Sequence, residues 1–411
     1  MVSQIAWMDA SPEEQRRTRE IVQMFSMKET QDELGGRQVV VVLSDALFPG
    51  TSVLHSRARY LLFIPWFFKQ AARRTNPPVA LETLERAMIK AFRAPNDEVA
   101  DDDRLRGLVG RDAGEQVKQL PSTAYWTALS SWDILRHNGT IREVLAATSA
   151  ATTASEADEL AERSRALWNP GVGEAPKGFP SDTIDGGFRL KSHEASWLRD
   201  LWLGIPSDSI LAHLARASTP LSGGETPWDE ELCRSAPSEP RRVLDLAQRF
   251  SLALEGAQLL YGTVLTDRYI EHKYSRMSLD KDEPRAALAA WATEVEEAQQ
   301  LFTGWDSTEL WDFVRERNPR VSIHTTKFFD EWFHLLASGD VRDLANRIEL
   351  RDQVSNREVF VKKPAQSRIA NPKMLAAWRG TASAKTVFRW GQVRSLVNDL
   401  QVGLGIDGAG A

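Results

Sequence analysis

The sequence predicts a mostly α-helical, multi-helix globular protein with long Gly/Pro-rich loops and little or no β-sheet. Three observations lead there. Helix N-terminal signals recur along the chain, apolar residues return at helical spacing between them, and no series of alternating strands joined by hairpin turns is present. At 411 residues the chain can form two or three domains, or one large helical one. Fourteen Trp against five Tyr is an unusual balance, and it suggests a Trp-rich core.

In chain order, "SPEEQRRTREIVQMF" offers Ser11 as N-cap, Pro12 at the first helical position and Glu14 three residues after the cap. "TQDE", from Thr30 to Glu33, has the same spacing. The run 39–43 is rich in β-branched residues, which favour a strand. The "SDALF" that follows and the stop at Pro49-Gly50 favour a helix instead. Thr51 or Ser52 is then expected to cap a helix carrying His55 and Arg59 on one face, at i and i+4. Beyond Tyr60 that helix is apolar all round, as a central core element is, and Pro65 is expected to kink it. The apolar run 60–68 is far short of the about 20 residues a membrane span needs, and His55, Arg57 and Arg59 precede it. A core helix is therefore expected, and no membrane anchor.

Further helices are expected at 79–93, 113–137, 141–167, 192–203, 207–217, 241–273, 283–302, 307–316, 323–337, 340–353 and 386–401, with a little strand near 359–362. Segments 168–187 and 218–240 are rich in Gly, Pro and Ser and read as long loops or boundaries. Residues 96–103, "NDEVADDD", form an acidic loop. The expected organisation is an N-terminal helical domain (1–167), a loop-rich connecting segment with short helices (168–240) and a C-terminal helical domain (241–411).

Candidate chemistry is sparse. The single cysteine, Cys233, permits neither an intrachain disulfide nor a cysteine-based zinc site, which fits a reducing cytoplasm. The first residues lack an apolar stretch of the kind a signal peptide needs. "GLGIDG" at 403–408 matches the dinucleotide fingerprint without its strand–helix setting and is expected to be a tail. "GVGEAPKG" at 171–178 fails the phosphate-loop pattern. Glu331 and His334 form one Glu-x-x-His pair where a di-iron bundle needs two, so a half-buried structural His is expected. His193-Glu194 begins a zinc-type motif, but Trp197 stands where its second His belongs. Asp267, Glu271 and Lys273 resemble a nuclease carboxylate–lysine set, yet they close a long helix instead of lying on a strand. Cys233 has no assigned base. No cofactor, metal site or catalytic residue is assigned.

Charge is more informative. Between 357 and 394 lie Arg357, Lys362, Lys363, Arg368, Lys373, Arg379, Lys385, Arg389 and Arg394, against one acid, Glu358, in a chain of net charge −6. Trp378, Phe388 and Trp390 are interleaved. Such a segment can neutralise phosphates and stack on bases, or it can dock on the protein's own acidic body.

"WMDASPEEQRR", "DELG", "SDALFPGTSVLHSRARYLLFIPWFF", "QLPSTAYWTALSSWDI" and "FRWGQVRSLVNDL" together resemble a bacterial family, domain of unknown function family 6361, over nearly the whole chain. The resemblance implies no chemistry. It associates the chain with mobile or phage-defence-like gene neighbourhoods, beside helicase-like and nuclease-like genes. Within it, Arg57 and Arg59 are expected to act as structural keystones, pairing with acids such as Asp45 to hold helices in register.

The expected function is thus a non-catalytic, cytoplasmic accessory component of an anti-phage defence-type system. It would bind DNA or a helicase-like or nuclease-like partner through Arg357, Lys362, Lys363, Arg368, Lys373, Arg379, Lys385, Arg389, Trp390 and Arg394. One alternative is a metal-dependent nuclease or other enzyme using Glu271, Lys273, Glu331 and His334. The other is a protein-interaction subunit that never touches nucleic acid. The sequence assigns no oligomeric state.

Overall fold

The computed structural model describes residues 32–94, 104–153, 167–180, 184, 186–206, 208–380 and 385–406. Its helices in chain order are α1 (Arg37–Leu47), α2 (Tyr60–Ala71), α3 (Pro77–Arg93), α4 (Pro121–Ser131), α5 (Ile141–Thr153), α6 (Ser192–Leu203), α7 (Ile210–Arg216) and α8 (Glu231–Arg234). They continue with α9 (Ser238–Glu271), α10 (Asp282–Glu297), α11 (Thr308–Arg317), α12 (Ile323–Ser338), α13 (Ile348–Gln366), α14 (Pro372–Ala376) and α15 (Trp390–Gly403). Among the described residues there is no strand, only an isolated bridge between Leu135 and Trp168. The mostly α fold is therefore as expected. The helix signal at Ser11 and the acidic loop 96–103 lie outside the described residues.

Two compact units share the chain. The first takes Phe48–Gly223 and the chain from Arg389 onward; the second takes Gln31–Leu47 and Gly224–Phe388. These units cut the chain differently from the three consecutive segments expected at 1–167, 168–240 and 241–411.

In the first unit, α2 packs on α3, α4 and α5, while α6, α7 and α15 pack on one another. Every residue of α2 except Lys69 and Gln70 is buried, Pro65 included, as an all-apolar helix requires. Phe63 and Phe67 lie 5.3 and 5.1 Å from Phe179, and Trp66 Nε1 donates to the Val172 carbonyl at 3.1 Å. No helix among the described residues is long and apolar enough to cross a membrane.

The second unit is built on α9, a helix of 34 residues and so about 51 Å long. Helices α1, α8, α10, α12, α13 and α14 all pack against it. The close approach of α10 depends on Gly256. Trp291 lies there, its Nε1 donating to the Leu252 carbonyl at 3.0 Å, and a Cβ on Gly256 would sit 2.2 Å from the indole.

Several local expectations are corrected. Residues 51–59 do not open a helix; α2 starts at Tyr60. The amides a first turn would use go to side chains instead: those of Ser56 and Arg57 to Tyr125 Oη at 2.7 and 2.9 Å, and that of Ala58 to Asp399 Oδ2 at 2.8 Å. The strand near 359–362 is helix, within α13, whose Val354, Arg357 and Glu358 are buried; tertiary packing outweighs the β-branched run. The run 39–43 is helical, as expected. The helix expected at 113–137 is confined to α4, and that at 340–353 begins only at Ile348, after a 3-10 turn at Leu344–Asn346. The second Gly/Pro-rich loop ends early: α8 carries Cys233, and α9 begins at Ser238. Gly403, the first residue of "GLGIDG", is the last of α15, so the motif is entered from a helix and not from a strand; Asp407 and Gly408 lie outside the described residues.

Gly256→Ala is expected to lose about 1–3 kcal/mol through overpacking against Trp291. Alanine's better helix propensity, about 1 kcal/mol, does not offset it. Urea unfolding checks this, and an unchanged midpoint would show that Trp291 yields.

Candidate functional site

Arg57 and Arg59 each pair with an acid from later in the chain. Arg59 is 1% exposed. Its Nε and Nη2 each lie 3.2 Å from Glu194, on Oε2 and Oε1, and Nη1 donates to the Gly187 carbonyl at 2.7 Å. Glu194 sits in the first turn of α6 and also accepts the Lys191 amide at 2.8 Å. Arg57 grips Asp399 of α15 with Nη2 at 2.7 Å and Nε at 3.0 Å. Burial holds the Asp399 carboxyl above its ordinary range, against the pull of Arg57 and the Ala58 amide. Asp45, the acid named in advance, is an exposed residue of α1 in the second unit.

His55 completes this cluster in the first unit. Its ring stacks on Tyr125 at 4.4 Å, and Nδ1 accepts the Ser52 amide at 3.2 Å. Burial, helped by the Arg389 charge, lowers its pKa to about 3, so it stays neutral. Glu85 is buried too, receiving the Ser122 amide at 2.7 Å and hydroxyl at 3.1 Å; burial raises its pKa to about 7. Nothing here is presented to solvent as a reactive pair. The cluster closes backbone donors and helix ends.

The basic segment 357–394 is divided between the two units. Arg389, Trp390 and Arg394 belong to the first unit, where Arg389 Nη1 donates to the Thr51 carbonyl at 2.7 Å and Trp390 is wholly buried, 6.0 Å from Phe48. In the second unit Arg357 is buried, with Nε on the Leu34 carbonyl at 2.8 Å and Nη2 on Thr325 Oγ1 at 2.9 Å. Arg368 and Lys362 share Glu33, at 2.5 and 3.7 Å. That assigns Glu33 to an ion cluster, while Asp32 receives the amides of Gly36 and Arg37 at the start of α1; Thr30, the cap expected of "TQDE", lies outside the described residues. Lys385 Nζ lies 2.5 Å from Glu294. Lys363, Lys373 and Arg379 are exposed.

Those exposed cations have neighbours that sequence reading missed. Arg268 Nη1 donates to the Ile369 carbonyl at 3.0 Å, and Tyr274 Oη to the Pro372 carbonyl at 3.2 Å. Trp378 packs 5.9 Å from Tyr269. The end of α9 is thereby stitched along residues 369–378; His272, Lys273 and Arg276 on the one segment and Lys373 and Arg379 on the other are exposed. The His272 ring stacks on Tyr274 at 5.5 Å. The signal was present in "HKYSR", where three basic or imidazole side chains flank a tyrosine.

The residues considered for a nuclease fall on separate helices. Glu271 is exposed at the end of α9; Glu331 and His334 are exposed on α12. Glu331 accepts from Gln353, and His334 Nδ1 lies 2.6 Å from the Asp330 carbonyl, so His334 is exposed and not half-buried as expected. Asp267 is held by Arg285 and Arg351, each at 2.8 Å; burial would raise its pKa, but the two guanidiniums bring it below the usual carboxylate range. Among the described residues no group of three or more His, Cys, Asp or Glu is placed to hold a metal ion. Cys233 is fully buried, and burial pushes its thiol up, so no nucleophile is presented there.

Among the described residues the geometry shows an α-helical protein with a buried ionic framework and exposed cations near the end of α9 and around α14. The chain belongs to a family of unknown function (DUF6361), whose pattern matches residues 2–402. No curated protein and no solved structure matches it.

Breaking a buried pair from one side is expected to cost about 3–5 kcal/mol. Arg59→Met should therefore destabilise by that amount, and Arg59→Met with Glu194→Met should recover much of it. A double-mutant cycle in urea checks this; a double-mutant loss equal to the sum of the two single losses would mean the two side chains are not coupled.

Glu85 gives a pH signature. Its folded pKa lies above the unfolded value, so its contribution is full below about pH 4.5 and is lost as pH rises through 7. His55 acts oppositely: its contribution is present above about 6.5 and is lost as pH falls toward 3. Glu85→Gln removes the first effect alone. Relative to the parent, the variant should gain about 2 kcal/mol between pH 5 and pH 8. Unfolding at both pH values tests it, and a pH-independent difference would count against a buried, protonating Glu85.

Proposed function

We propose that this chain is a non-catalytic accessory binding component of a bacterial anti-phage defence-type system, and that DNA meets it on the exposed cations near the end of α9 and around α14. The setting follows the gene neighbourhoods that the family resemblance brings with it. The binding role rests on one observation: the end of α9 and the segment around α14 are stitched together by Tyr274 and Arg268, and the exposed Lys273, Arg276, Lys373 and Arg379 belong to these two joined segments. Exposed cations neutralise phosphates and release counterions. The buried Arg357 and the half-buried Lys362 and Arg368 already serve protein acceptors and are poor candidates for phosphate contact.

Binding of DNA by the full chain across a salt series tests this. Four phosphate contacts give a log–log slope of about −3.6 on a duplex and about −2.8 on a single strand. Reversing Lys273, Arg276, Lys373 and Arg379 to Glu should abolish binding while the fold is kept, because all four are exposed. Absence of binding at low salt would instead favour a helicase-like or nuclease-like protein partner, with capture of that partner as the next measurement.

A further inference from the structure

A second exposed feature of this unit lies where the start of α12 meets the end of α13. Phe360 is 46% exposed, an unusual position for a phenylalanine. The His324 ring lies 4.8 Å from it, and Lys363 Nζ stands 4.8 Å over its face. The buried Arg357 guanidinium is 5.7 Å from the same ring. Ile323, 55% exposed, adjoins His324 in the first turn of α12. Lys363 adopts φ 63° and ψ 153°, a region close to glycine-only, at a cost of about 1–3 kcal/mol. That backbone turn sets its ammonium over the Phe360 ring.

The acids nearest in other segments are committed to the protein itself: Glu33 pairs with Lys362 and Arg368, and Asp32, whose charge acts on Arg357, accepts the Gly36 and Arg37 amides. From 317 to 329 the charged or imidazole residues are Arg317, Arg320, His324 and Lys327; from 359 to 379 every charged residue is basic. Lys327 and Arg320 are exposed. An exposed aromatic ring flanked by the Lys363 ammonium and the His324 imidazole matches a ligand that is at once anionic and planar. A phosphate chain with unstacked bases has both properties. In a duplex the base faces are covered by their neighbours, and a side chain on a helix surface reaches only edges and phosphates.

We propose that the Phe360 patch is a base-stacking platform for single-stranded nucleic acid, with Lys363, Lys327 and His324 meeting the flanking phosphates. This rests on the DNA-binding reading above and adds strand selectivity to it. Binding of a labelled oligothymidine and of a mixed-sequence duplex to the full chain, followed by anisotropy, tests it. The single strand should bind more tightly. Phe360→Ala should weaken oligothymidine binding about 5- to 100-fold and leave the duplex unchanged. Phe360→Trp should restore it, which separates stacking from any loss of fold. Equal binding of both nucleic acids with Phe360→Ala moving neither, or oligothymidine binding that survives Phe360→Ala, overturns the platform and leaves DNA binding standing. Binding of poly-glutamate but of neither nucleic acid overturns both and assigns the patch to an acidic protein partner.

Discussion

A guanidinium and a carboxylate closed off from water, Arg59 on Glu194, set the terms for the first unit. Two buried charges are tolerated only when each is met by the other and the remaining hydrogen-bonding positions are filled. Glu194 therefore has to lie in the first turn of α6, where it also takes the Lys191 amide, and Arg59 has to reach the Gly187 carbonyl. Arg57 and Asp399 repeat the arrangement one step along, and Asp399 takes the Ala58 amide as well. The segment before α2 is irregular because its donors are committed to these distant acceptors. The apolar helix that follows begins where that commitment ends.

The second unit meets the same constraint by sharing. Asp267 serves Arg285 and Arg351 together; Glu33 serves Arg368 and Lys362; Glu358 receives the Tyr261 hydroxyl at 3.2 Å and the Arg368 amide at 2.7 Å. Each carboxylate binds several segments distant in sequence. The positive charge of residues 357–385 is consequently divided into cations that build the fold and cations that face water. Only the second group is available to a partner.

How much of this was legible in the sequence follows from what each feature depends on. Helices α2, α6, α9 and α12 could be read because their apolar period and terminal residues are local properties. The turn at 51–59 could not, since it is enforced by Tyr125 and by Asp399, far along the chain. The roles of Arg57 and Arg59 were readable as pairing, but their partners were not, because charge pairs carry no spacing rule between distant elements. Asp399 did leave a trace: an acid set among Leu396, Val397 and Leu400, on a face that must be buried. Phe360 left less, since an apolar residue in an amphipathic helix reads as core until its neighbours are known.

Cys233 has a practical consequence. It is the chain's one thiol, sealed inside α8, and burial disfavours its thiolate. Maleimides and other alkylating reagents act on thiolates, so the native protein is effectively silent toward them. A cysteine introduced at an exposed position is then a single attachment point for a spin label or fluorophore, with no background residue to remove first. The same silence makes Cys233 a clock. Any alkylation of the unmodified chain reports the moments when the second unit opens, and its rate measures how often that happens.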